Sequence, residues 1–271
     1  MNKFPPFPAP AKIGLLGVAF DQNSSFKRGP ALAPPRIREA FFSDSSNLWT
    51  ENETYLGADG LFADIGDITP SAERMPIATE QAAGKLYEAG LKVMAFGGDH
   101  SVTYPLVKAA VKHHPNLTIL HFDAHPDLYD DFEGNPHSHA SPFARIMETG
   151  LAKRLVQAGI RTINGHQREQ ATRFGVEVLT MQHWQDVFNI RFDSPLYITF
   201  DMDCLDPAFA PGISHREPGG LSTREALSVI QSLNANIIGA DVVELNPAQD
   251  PLNITEMVAA KVFKEIVAKM L

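Results

Sequence analysis

The 271-residue sequence predicts a three-layer α/β/α fold around a central, mostly parallel eight-stranded sheet. Three observations predict it. Short apolar runs alternate with longer amphipathic stretches, the pattern of strand–helix units feeding a parallel sheet. Some runs, such as Ile237–Val243, are apolar at nearly every position, Asp241 excepted, as strands buried on both faces are. Four runs end directly in polar, chemistry-bearing residues, and open α/β sheets bind ligands at the carboxyl ends of their strands.

The elements follow in order. Residues 13–19 read as the first strand, followed by a polar loop over 21–30. Pro34 and Pro35 sit where a helix beginning Arg36-Ile37-Arg38 tolerates proline. Residues 61–65 form a weaker strand. Residues 77–89 carry helical spacing, stopped by Gly90. Lys92–Phe96 is a strand leading into Gly97-Gly98-Asp99-His100, and Ser101 is placed to cap a helix running to about Lys112. Leu117–Phe122 is a strand leading into Asp123-Ala124-His125-Pro126-Asp127. Past a polar loop, Ser141 caps and Pro142 opens a helix through Met147. Residues 154–158 and 177–181 read as strands flanking a helix over 166–174. Residues 196–200 form the strand before Asp201-Met202-Asp203. A Pro/Gly-rich loop reaches Gly220, a helix covers 222–233, the strand Ile237–Val243 ends at Glu244, and an amphipathic helix over 254–271 closes the chain. No linker, repeat or low-complexity tract divides it, so residues 1–271 read as one domain.

A hydrophobic content of 44% supplies a core, and the net charge of −9 tells against nucleic acid as a partner. Cys204 is the one cysteine, so no internal disulfide forms and a reducing compartment is expected. The proline-broken stretch over 1–10 has no apolar h-region, and no run is long enough to cross a bilayer. The expectation is a cytoplasmic protein with no membrane partner.

The chemistry lies in the strand-end motifs. In an extended segment, residues i and i+2 point the same way. Asp123, His125 and Asp127 therefore converge, as do Asp201 and Asp203, and His100 adds a second imidazole. Four carboxylates packed together repel unless cations intervene, and two divalent ions cancel them. A mixed carboxylate and imidazole set suits Mn²⁺, and less distinctively Zn²⁺, Ni²⁺ or Fe²⁺. No thiolate is among the candidates, which tells against a structural zinc site. Two ions about 3.5–4 Å apart can share a water and lower its pKa, which points to hydrolysis.

Gly97-Gly98-Asp99-His100-Ser101, Asp123-Ala124-His125-Pro126-Asp127 and Asp201-Met202-Asp203-Cys204-Leu205-Asp206-Pro207 resemble the three signatures of the ureohydrolase (arginase/agmatinase) family. The resemblance extends over nearly the whole chain. Glu133-Gly134-Asn135 with Ser138-His139-Ala140-Ser141, and Ile213-Ser214-His215, look most like the plant-type arginases. It implies an arginase-like fold and two Mn²⁺ per subunit. One ion would be held by His100, Asp123, Asp127 and Asp201. The other would be held by His125, Asp123, Asp201 and Asp203. It implies catalytic roles for His139, as proton-handling residue, for Asp127, which could orient the attacking water, and for Glu244, which grips the substrate guanidinium. It also implies a small guanidino substrate, L-arginine first and agmatine or another guanidino acid as the alternative, and a homotrimer or homohexamer.

Other residues sort around that core. Asn135, Ser138 and His215 are candidate substrate contacts, and Arg216 favours a carboxylate-bearing substrate if it faces the pocket. His137 is a candidate for the pocket rim. His121 reads as a satisfied buried histidine, Asp99 as support for His100 or its loop, Asp130 and Asp206 as structural, and Cys204 as packed. Two other classes compete. A zinc deacetylase on a similar fold would lack a histidine at the His100 position, and a non-catalytic scaffold would have lost a ligand. No Gly-x-Ser-x-Gly, Walker or dinucleotide glycine pattern is present.

Overall fold

The computed structural model describes residues 11–271. The proline-broken stretch over 1–10 lies outside the described residues. The strands are β1 (Ile13–Val18), β2 (Phe62–Ile68), β3 (Lys92–Phe96), β4 (Leu117–Phe122), β5 (Ala152–Ile160), β6 (Glu177–Thr180), β7 (Leu196–Asp201) and β8 (Ile237–Val243). They form one eight-stranded sheet in the order β2-β1-β3-β8-β7-β4-β5-β6, and every pairing is parallel. The sheet is therefore wholly, not mostly, parallel.

Among the described residues, seven α-helices cover it: α1 (Ala33–Phe41), α2 (Met75–Glu88), α3 (Thr103–Val111), α4 (Pro142–Glu148), α5 (Gly165–Phe174), α6 (Thr223–Ser232) and α7 (Ile254–Met270). Each face of the sheet has its own core. Ile37, Leu227, Phe263 and Ile266 from α1, α6 and α7 pack with Phe96, Phe122 and Phe200 on one side. Leu86, Leu106, Phe143 and Ala171 from α2 to α5 pack with Leu16, Ile119 and Tyr197 on the other. Strands buried on both faces need apolar residues at successive positions, which explains the continuous apolar runs.

The expected starts differ in places. Helix α1 begins at Ala33, with Pro34 and Pro35 inside its first turn, where proline removes no needed donor. Ser101 is not a cap. A 3₁₀ turn, His100–Val102, precedes α3, and the Asp99 carboxylate caps it by accepting the Ser101 N–H. Ser141 occupies the position before α4, but its hydroxyl makes no capping bond. Asn164 and Ser222 form full capping boxes with Gln167 and Glu225 at the starts of α5 and α6. A 3₁₀ segment, Trp184–Asn189, has no counterpart in the sequence reading.

Strands β3, β8, β7 and β4 are neighbours at the centre of the sheet. Phe96, Val242, Phe200 and Phe122 lie in one row across them. Their next residues therefore leave the sheet at one level, which brings the distant motifs to a single rim.

Candidate metal centre

One row below that rim the sheet is polar. His121 pairs in register with Gln157 on one side and Thr199 on the other, and Thr199 pairs with Asp241. Residues in register face the same way, and all four are fully buried. Asp241 accepts hydrogen bonds from Thr103 Oγ1 (3.0 Å), Tyr197 OH (2.8 Å) and Thr199 Oγ1 (2.6 Å). Thr199 spends its only proton on Asp241, so its oxygen accepts from His100 Nε2 at 3.0 Å. That fixes one proton on Nε2 and leaves Nδ1 as the position that takes either a second proton or a metal ion.

Nδ1 of His100 is buried and has no hydrogen-bond partner. It lies 3.2 Å from Asp123 Oδ2, 3.2 Å from Asp127 Oδ2 and 3.1 Å from Asp201 Oδ2. A lone pair facing three carboxylate oxygens demands a cation between them. Burial alone would depress the His100 pKa, but Asp123, Asp127 and Asp201 outweigh it and hold it well above the ordinary value. A divalent ion meets the same demand, and one nitrogen with three oxygens is a donor set such ions accept.

His125 repeats the arrangement. Its Nδ1 lies 3.3 Å from Asp123 Oδ1 and 3.0 Å from Asp203 Oδ2. Burial and the charges of Asp203 and Asp123 push the Asp201 carboxyl well above the usual range, and burial with Asp123 raises Asp203. Asp123 goes the other way. Burial opposes ionisation there, but His121, His100 and His125 together hold it well below the usual range. The six sequence-predicted ligands thus meet in one cluster, with Asp123 spanning its two halves.

The motif before His100 is shaped by backbone crowding. A Cβ on Gly98 would sit 1.7 Å from the Phe20 carbonyl oxygen, so only glycine lets β3 and the loop after β1 close together. Asp99 binds that loop, taking the Asn23 N–H at 2.9 Å. Asp127 and Glu244 both adopt left-handed backbone conformations, with φ of 49° and 63°. Such conformations in non-glycine residues concentrate at functional sites.

An open cavity of about 150 Å³ lies over the cluster. Its lining includes His125, Asp127, Asp201, Asp203, His139, Glu244 and His215, with Ser25, Tyr129, Phe132, Thr162 and Gln167. His139 Nδ1 is 2.8 Å from Glu244 Oε1, and its Nε2 meets Ser25 Oγ at 2.8 Å and Ser25 N–H at 3.2 Å. The Ser25 hydroxyl can turn to accept from a charged ring or donate to a neutral one, whereas the Ser25 N–H only donates and so favours an unprotonated Nε2. Burial disfavours charge on His139, but Glu244 outweighs it and raises the pKa to about 9. Glu244 is correspondingly held below its usual range by His139, against burial. Its Oε1 also accepts the His100 N–H at 2.9 Å. The ring of His215 lies 5.2 Å from that of His139 and 5.9 Å from that of His125. Burial and the neighbouring charge of His139 lower its pKa, so it is neutral at physiological pH.

Asn135 and Ser138 stand apart from the cavity lining. Asn135 donates to Asn23 Oδ1 and accepts from the His137 N–H, while the Ser138 hydroxyl accepts from Ala140 N–H. Both shape the loop that carries His139. Arg216 is exposed and donates to the carbonyls of Pro211 and Gln249, and His137 is exposed beside Tyr104. Neither lines the cavity. Asp206 accepts backbone N–H groups of Ala208, Gly219 and Gly220, and Cys204 is buried.

Sequence reasoning missed Ser25, Thr162 and Gln167 on the cavity wall and Arg161 beneath it. Among the described residues, the Arg161 guanidinium meets no carboxylate. It donates to the carbonyls of Gly159, Asp203, Cys204, Leu205 and Glu217, joining the loop after β7 to the loop before α6. Ser25 carried a faint signal, as one of several polar residues in the loop after β1. Arg161 carried none, because its partners are main-chain atoms.

A family model described as the arginase family matches residues 11–268. The chain is 47% identical over 280 residues to "Arginase 1, mitochondrial" of Arabidopsis thaliana, covering 97% of this chain and 82% of that protein. It is 36% identical over 277 residues to an agmatinase of Serratia proteamaculans, covering 95% and 87%. Among solved structures, the arginase from Medicago truncatula superposes with a TM-score of 0.91 at 43% identity, covering 96% of this chain and 87% of that one. With the parallel sheet, the clustered carboxylates and these likenesses in agreement, the chain belongs to the arginase family.

Proposed function

We propose that the protein is a binuclear manganese ureohydrolase that cleaves L-arginine to L-ornithine and urea. The observation that carries this reading is the buried, unpartnered Nδ1 of His100 among three carboxylate oxygens. His100, Asp123, Asp127 and Asp201 would hold one ion, and His125, Asp123, Asp201 and Asp203 the other. Two divalent ions supply charge neutralisation and a water acidic enough to attack at neutral pH.

The remaining work falls to the chain's own groups. Glu244 lines the cavity with one carboxylate oxygen committed to His139 and His100, which leaves the other to accept from a guanidinium N–H. Asp127 stands on the cavity wall where it can orient the incoming water. As the water oxygen bonds to the guanidinium carbon, the bond to the departing amine nitrogen breaks; overall the water's two protons pass to that nitrogen, which leaves as ammonium beside urea, and its first proton must come from an acid. His139, raised to about 9, carries one at neutral pH. His215, neutral and beside both His125 and His139, is placed to touch the substrate chain.

Arginine is favoured by the higher identity to plant arginases than to agmatinase. Agmatine is favoured by one observation: among the described residues, no lysine or arginine lines the cavity to pair with an α-carboxylate. Urea release by the Mn²⁺-loaded protein from L-arginine, agmatine, guanidinobutyrate and guanidine decides between them. Inactivity on all four would overturn the ureohydrolase reading. The homotrimer or homohexamer expected from the family resemblance is tested by sedimentation velocity.

A further inference from the structure

The polar row beneath the rim contains two side chains with no part in the chemistry so far, His121 and Gln157. His121 is fully buried, with Nε2 2.7 Å from Asp123 Oδ2 and Nδ1 3.0 Å from Gln157 Nε2. Gln157 Nε2 also lies 2.6 Å from the Pro126 carbonyl oxygen. A carbonyl only accepts, so the group facing it is the amide NH₂ and not the amide oxygen. The second hydrogen of that NH₂ points to His121 Nδ1. Nδ1 therefore accepts, the imidazole proton sits on Nε2, and it is donated to Asp123. The ring cannot turn away, because it stacks on Phe143 with centroids 3.9 Å apart and meets His100 edge-on at 5.0 Å.

The carboxylate it holds is the one that spans the cluster. Oδ2 of Asp123 takes the His121 proton and faces His100 Nδ1, while Oδ1 takes the His125 N–H at 2.6 Å and faces His125 Nδ1. Each oxygen thus addresses a different half. Without His121, one hydrogen bond remains, and repulsion from Asp201 and Asp203 is free to rotate the carboxylate. The geometry points to His121, locked by Gln157, as a positioning residue that fixes Asp123 as the bridge between two divalent ions. This rests on the metal-centre reading above. It separates His121 from a core histidine that is merely satisfied, because its loss is felt at the ions and not only in folding.

The test is Mn²⁺ binding by equilibrium dialysis, with paramagnetic resonance of the bound ions, on wild type, His121→Phe and Gln157→Met. Phenylalanine keeps the stacking on Phe143 and removes the donor, and methionine removes the amide that fixes the tautomer. The expected result for His121→Phe is a folded protein whose Mn²⁺ dissociation constant rises roughly 10- to 100-fold. The exchange-coupled spectrum of a bridged pair should give way to that of isolated ions. Gln157→Met should shift both in the same direction by less. A folded His121→Phe with wild-type affinity and a coupled spectrum overturns the inference. If that variant does not fold, Gln157→Met decides: weakened binding supports the inference, and unchanged binding overturns it. A wild-type protein that retains no Mn²⁺ overturns the metal reading itself, a different outcome from variants that bind as wild type does.

Discussion

His139 and Glu244 face each other across 2.8 Å, Nδ1 to Oε1, from a loop after β4 and the end of β8. The pair joins the group proposed to deliver a proton to the one proposed to hold the guanidinium. Replacing His139 with asparagine keeps a polar side chain and removes the titrating ring. Urea formation should fall roughly 10²- to 10⁴-fold in kcat, with bound Mn²⁺ unchanged. Metal analysis beside steady-state kinetics checks both, and near wild-type kcat would remove His139 from the mechanism.

Glu244→Gln keeps the shape and removes the charge. A hydrogen bond to a charged group is worth about 1.5–3 kcal/mol, so kcat/KM for the guanidino substrate should drop roughly 10- to 100-fold. An effect of that size on a cationic substrate, with no change in Mn²⁺ content, is the outcome expected of a guanidinium contact.

The same pair sets a pH dependence in the metal-free protein. His139 has its folded pKa raised to about 9, above the roughly 6.5 of an unfolded histidine. The folded state then binds more protons between those values. The stabilisation is complete below about pH 6.5 and is lost as pH rises through about 9. Thermal unfolding midpoints should fall across this window more steeply in wild type than in Glu244→Gln. Equal slopes would show that the pair does not hold the proton.

Arg161 offers a test of a different kind, since it binds only carbonyl oxygens. Arg161→Met leaves those oxygens without their donor and should destabilise the protein by about 2–4 kcal/mol in urea unfolding. Arg161→Lys should recover only part, because an ammonium cannot reproduce the planar fork.

Two glycines give opposite expectations. At Gly98 a methyl group would meet the Phe20 carbonyl oxygen at 1.7 Å, a backbone atom that cannot step aside. Gly84 lies inside α2 with nothing within 4 Å. Gly98→Ala should cost more than about 3 kcal/mol or prevent folding, while Gly84→Ala should stabilise by about 0.5–1 kcal/mol. Chemical denaturation of the two variants measures the contrast.

What was legible in the sequence was local. Asp123, His125 and Asp127 follow one another within five positions, and Asp201 and Asp203 within three, so their clustering was legible, although the backbone does not stay extended: Asp203 lies in a 3₁₀ turn, Met202–Cys204, capped by Asp201, and Asp127 is left-handed. The apolar runs disclosed the layered fold because burial on both faces leaves no polar alternation. What stayed hidden depended on alignment between distant segments. The tie from His121 to Asp123 was within reach of the same i, i+2 rule, but Gln157, Thr199 and Asp241 become neighbours only through strand pairing. Asn135 and Ser138 read as substrate contacts because their side chains can hydrogen-bond a carboxylate, and the bonds they make here lie within the loop that presents His139 or tie it to Asn23. The exchange of Ser101 for Asp99 as cap has a simple cause, since a carboxylate is the stronger acceptor and was already beside the turn.

The row Gln157–His121–Thr199–Asp241 carries one more consequence, for assembly of the chain. Its members come from four strands joined by long crossovers, so no fragment of the unfolded polypeptide contains the cluster they support. A slip of one residue in β4 would turn His121 and Asp123 to the opposite face and leave the cluster unmade. Divalent ions with affinity for the cluster therefore recognise only molecules whose central strands are in register. Through mass action, ions bound as proposed would favour that alignment over any near-native competitor, so a cation taken up at the site would also proofread the sheet.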